Sequence, residues 1–179
     1  NAKFTNNAVY TYDGSYCDFG YQWGLGMRPA TITDNIIAAP VGGLAVAFTK
    51  TLDVATLTGN FFWGMLTNFD DSGHQINYSA YPTNTFINYQ SRPTGTKVVV
   101  RPNKFEPGRG NIAVFNWNLA STVEVDVSSI LTVGAQFEVR PSQNYFGTPV
   151  LSGTYAGGTI QIPMAGVTPV IPIGGTSQP

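Results

Sequence analysis

Two hydrophobic rhythms run along the chain. In the first third, short apolar pairs recur behind a Thr-x-Asn signature. Residues 30–37 are Ala-Thr-Ile-Thr-Asp-Asn-Ile-Ile, and residues 55–62 are Ala-Thr-Leu-Thr-Gly-Asn-Phe-Phe, 25 positions later. A looser copy, Phe4-Thr5-Asn6-Asn7-Ala8-Val9, places Phe4 28 positions before Ile32. Asn7, Asn35 and Asn60 therefore share one phase. Between the copies lie Gly14-Ser15-Tyr16-Cys17-Asp18-Phe19 and Gly42-Gly43-Leu44-Ala45-Val46-Ala47, also 28 apart, each a short strand after a glycine turn. Such a repeat predicts stacked coils, each with at least two strands and a bend. Asn tolerates left-handed geometry at the bend, and stacked Asn amides can hydrogen-bond from coil to coil. Antiparallel strands that share Thr-x-Asn by chance are the alternative.

After residue 66 the rhythm changes. Residues 67–95 are dense in turn residues and predict a cap and linker. From residue 96 to 166 the period is two, as expected of strands in an antiparallel sandwich. The expected strands are Lys97–Arg101, Asn111–Trp117, Thr122–Val127, Gln136–Arg140 and Thr159–Met164. Val123, Val125 and Val127 should face the core, with Glu124 and Asp126 in solvent. Residues 167–179 form an apolar, Pro-spaced tail. Val170, Ile171 and Ile173 are expected to dock it on an apolar surface. No segment carries a helical period, so the fold class is all-β: a short right-handed parallel β-helical segment, residues 1–66, followed by an antiparallel β-sandwich.

Composition narrows the setting. The 179 residues hold nine Lys+Arg against ten Asp+Glu, a net charge of −1, so no basic field exists to hold nucleic acid. Hydrophobic residues at 42% argue against disorder. No apolar run is long enough to span a bilayer as a helix. One cysteine, Cys17, excludes an intrachain disulfide framework. The scarcity of Lys and Glu beside abundant Asn, Thr, Gly and Tyr suggests a secreted bacterial protein, extracellular or on the cell surface. The chain opens at Asn1 rather than Met, as a mature product or fragment would. Asn77-Tyr78-Ser79 matches a glycosylation sequon, but an accidental triplet is the expectation in an Asn-rich chain.

The phase and spacing of the asparagines resemble right-handed parallel β-helices of the pectate-lyase-like kind. Arg101–Asn111, Val114–Asn118, Phe137–Arg140 and Asn144–Val150 resemble the small β-sandwich that follows the solenoid in many secreted bacterial glycan-active proteins. Nearly the whole chain is thus similar to the C-terminal end of β-helix repeat proteins. That resemblance implies an extracellular module of a larger protein, whose open coil end is covered by something outside these residues.

Candidate chemistry is sparse. His74 is the only histidine and sits in a Gly/Asp turn, so a solvated loop side chain is expected rather than a triad member. Asp70 and Asp71 offer carboxylates for calcium, but not with EF-hand spacing, so a polar turn is expected first. Ten carboxylates are scattered through the sequence with no paired pattern of the glycosidase type. No catalytic residue and no resident cofactor are assigned. Aromatic residues are the better candidates, because rings stack on sugar faces. Tyr12, Tyr21, Trp23 and Trp63 are the candidate carbohydrate-binding residues. Trp117 is expected in a core.

The function expected is a non-catalytic extracellular module bearing a glycan-binding or glycan-presenting surface. Its partners would be a polysaccharide or identical or related protein chains. The alternatives are a structural subunit of a self-assembling filament or sheath, and the C-terminal part of a polysaccharide lyase or hydrolase.

Overall fold

The computed structural model describes residues 2–11, 17–19, 30–40, 45–48, 55–65 and 77–167. They contain strands, turns and two short 3-10 turns but no α-helix, and they fall into two compact units, one within Asn1–Pro93 and one within Thr94–Val170. The protein is all-β, with parallel sheets in the first unit and antiparallel ribbons in the second.

The first unit is a stack of parallel coils. Strands β1 (Ala2–Thr5), β4 (Ala30–Thr33) and β7 (Ala55–Thr58) form one face. Strands β2 (Ala8–Tyr10), β5 (Ile36–Ala38), β8 (Phe61–Gly64) and β9 (Thr85–Asn88) form a second. A third holds β3 (Cys17–Phe19) and β6 (Val46–Phe48). Register aligns Phe4, Ile32 and Leu57, and all three belong to one apolar core with Val9, Ile37, Phe62 and Val46.

Two strand pairings depart from the sequence expectation. Residues 67–95 are not solely cap and linker, because β9 lies in them and pairs in parallel with β8, adding a fourth rung. On the third face, Phe19 pairs with Phe48 rather than Ala47, a slip of one residue. A strand's side chains alternate, so a one-residue shift exchanges its two faces. The observed register aligns Cys17 and Phe19 with Val46 and Phe48, and Cys17, Phe19 and Val46 all pack in the core.

The left-handed bend also falls one residue earlier than expected. Asn6 (φ 58°), Asp34 (φ 57°) and Gly59 (φ 69°) carry the positive φ, and Asn7, Asn35 and Asn60 follow it. The residue types suit the task, since Asn, Asp and Gly are the ones that visit this region at low cost. At the fourth rung the equivalent residue is Thr83, whose branched Cβ disfavours that region, and the chain enters β9 through a turn at Pro82–Thr83 instead.

The second unit is built from three antiparallel ribbons. They are β10 (Thr96–Pro102) with β11 (Gly110–Asn116), β12 (Thr122–Asp126) with β15 (Thr159–Pro163), and β13 (Gln136–Val139) with β14 (Leu151–Thr154). Val123, Val125 and Val127 are buried while Glu124 and Asp126 are exposed, as the alternation requires. Val125 pairs with Ile160 and Val123 with Ile162, and side chains from all three ribbons close over them. Trp117 is buried in the turn after β11 rather than on the strand, with its ring 5.7 Å from that of Phe115.

Candidate functional site

The bend asparagines form a directional ladder. Asn7 donates its backbone N–H (2.8 Å) and its Nδ2 (3.0 Å) to Oδ1 of Asn35. Asn35 does the same to Asn60 (3.0 and 2.8 Å), and Asn60 to Asn84 (3.1 and 2.8 Å). Each Nδ2 past the first also donates back to a carbonyl of the preceding coil: Asn35 to Phe4, Asn60 to Ile32, Asn84 to Leu57. Asn35 and Asn60 are 0% and 2% exposed, so their amides are the polar seam of an otherwise apolar interior. A buried amide persists only with its partners satisfied, and here four groups per rung meet that condition.

The two ends of the ladder differ. At Asn84 the donors turn back: its N–H bonds the Tyr81 carbonyl (3.1 Å), and its Nδ2 bonds the carbonyls of Leu57 and Tyr81. The 3-10 turn Tyr78–Ala80 brings Tyr78 and Tyr81 against the core beside Phe86. Asn77, the sequon asparagine, caps that turn through Ser79. At Asn7, Oδ1 accepts from no donor among the described residues. Coil 1 is also incompletely covered. Phe4, Val9 and Cys17 are half-buried, whereas their coil-2 counterparts Ile32, Ile37 and Val46 are sealed. A cleft of about 320 Å³ lies there, lined by Phe4, Cys17, Phe19, Ala30 and Ile32 among others. Burial raises the Cys17 thiol above its ordinary 9.0, keeping it neutral.

A second feature lies in the turns of the antiparallel unit. Phe105 and Phe146 are 89% and 96% exposed, and Tyr145 is exposed beside Phe146 with ring centroids 5.3 Å apart. The Arg109 guanidinium sits 5.4 Å over the Tyr145 ring, which joins the β10–β11 turn to the loop after β13. Lys104 lies 5.7 Å from the Phe105 ring. Arg109 pairs with Glu106 and Arg140 with Glu138, and Arg140 also donates to the carbonyls of Tyr145 and Gly147. These bonds hold the loop while leaving its rings in water.

The sequence candidates fare unevenly. Tyr12, Tyr21 and Trp23 lie outside the described residues, as do Asp70, Asp71 and His74. Trp63 is half-buried on β8 between buried Phe62 and Gly64, and is part of the coil wall. Among the described residues, no three His, Cys, Asp or Glu side chains gather as a metal site. Phe105, Tyr145 and Phe146 were missed as site residues. The signal was present: each lies in a Pro/Gly turn, out of phase with any alternating strand.

No protein-family model matches the chain, no curated protein matches it, and no solved structure matches it.

Proposed function

We propose that this chain is a non-catalytic extracellular module of a larger secreted protein of the pectate-lyase-like, right-handed β-helix kind, and that its antiparallel unit presents a glycan-binding surface. The observation that carries the glycan reading is the exposure of Phe105, Tyr145 and Phe146 around Arg109 and Lys104. Apolar rings left in water on braced turns are unfavourable unless a partner covers them. Rings with adjacent donors suit a sugar, whose C–H faces stack while its hydroxyls take hydrogen bonds. Affinity electrophoresis in gels containing pectin, alginate or xylan tests this. The native chain should be retarded by one of them, and Phe105→Ala with Phe146→Ala should abolish the retardation. Free migration of the native chain in all such glycans would remove the reading.

A second reading, a structural subunit that stacks into a filament or sheath, is favoured by the incompletely covered coil-1 end. Light scattering and negative-stain microscopy at rising concentration test it.

A further inference from the structure

From the polarity of the asparagine ladder we infer that the coil-1 end is the docking face for one more parallel β-coil, carried by polypeptide that continues the stack on the N-terminal side of β1, and not for a second copy of this chain. The occupant must supply a bend asparagine whose backbone N–H and Nδ2 both point at Asn7 Oδ1, because every rung below is made that way. It must also bring an apolar interior over Phe4, Val9 and Cys17, the three side chains half-buried here and sealed one coil further on. These are two independent demands, one polar and one apolar, and a coil of the same type meets both.

Neither described end of a second copy meets the polar demand as it stands. Its far end presents Asn84, whose N–H and Nδ2 both already donate to the Tyr81 carbonyl, in addition to the Leu57 back-bond of the kind that every rung past the first makes. Its near end presents another Asn7 Oδ1, an acceptor facing an acceptor. Head-to-tail addition would require Asn84 to give up its own bonds, and head-to-head addition supplies no donor. The inference therefore bears on the stacking reading above. It leaves the glycan reading untouched, since that rests on the other unit.

The test duplicates residues 30–54 immediately before Ala2, with Asn1 removed. This puts the copied asparagine 25 positions ahead of Asn7, the spacing seen between Asn35 and Asn60. The melting midpoint should rise by at least about 4 °C, as a further buried coil would give. Alkylation of Cys17 by iodoacetamide under mild denaturant should slow severalfold, because the new coil covers the cleft. Replacing the copied asparagine by Ala should remove most of both gains. An unchanged midpoint overturns the inference, as does an equal gain with the Ala version. Concentration-dependent protection of Cys17 in the unextended chain also overturns it, since a second copy would then be the occupant.

Discussion

The two units reach a β-rich core by opposite means. In the coils, register is written in polar atoms: each rung is fixed to the next by N–H groups converging on a buried amide oxygen. In the antiparallel unit it is written in apolar ones, by alternation of Val123, Val125 and Val127 against Ile160 and Ile162. Losing one valine leaves a gap that neighbours partly fill. Losing one ladder asparagine strands donors on one side and carbonyls on the other. The coils should therefore be less tolerant of single changes than the ribbons.

That contrast is most easily broken at Asn35. Asn35→Ala leaves the N–H and Nδ2 of Asn7 without their acceptor and the Phe4 carbonyl without its donor, and should cost about 3–5 kcal/mol in urea denaturation. Asn35→Asp should be nearly as harmful, since it keeps the acceptor but sets a carboxylate against Asn60 Oδ1. A cost below that of Val125→Ala would refute the contrast. Val125→Ala itself should cost about 2–3 kcal/mol through lost burial and a partial cavity.

Gly59→Ala sharpens the comparison by probing the backbone of the coil bend. A Cβ there clashes with the Asp34 carboxylate and must adopt φ near +69°, so a loss of about 1–2 kcal/mol is expected. Gly108→Ala has a similar φ with nothing nearby, and should be milder. Equal losses at both would show that the clash with Asp34 contributes nothing.

The smallest effect is electrostatic and belongs to the ribbons. The Ser128 hydroxyl and then its backbone N–H hold the Asp126 carboxyl below its ordinary 3.8. A depressed folded value means the stabilisation is present above 3.8 and is lost as the pH falls below it. Ser128→Ala should flatten that acid limb slightly, and an unaltered limb would count against the bond's role.

Much of this was legible from residue order. The Thr-x-Asn phase placed Asn7, Asn35 and Asn60 on adjacent coils, and Val-x-Val-x-Val placed the ribbon core, because both patterns repeat at their structural periods. The fourth rung was not legible. Pro82 and Thr83 stand where Thr58 and Gly59 stand a coil earlier, so Asn84 lost its local signature though it kept its place in the ladder. The one-residue slip between β3 and β6 was hidden as well, because both candidate registers look similarly apolar in so short a strand. At the aromatic turns the Pro/Gly signal was local, but the stacking of Arg109 on the Tyr145 ring joins residues too far apart for any local pattern to show.

The one-way sense of the amides also bears on how the coils come into being. A polypeptide leaves the ribosome N-terminus first, and domains can fold as they emerge. Asn7 is made before Asn35, so each finished coil waits with two N–H groups turned toward a neighbour not yet synthesised. The newcomer always brings the oxygen. The emerging edge is thus donor-rich at every step until Asn84, whose N–H groups find the carbonyl of Tyr81 already in place and end the sequence of hand-offs.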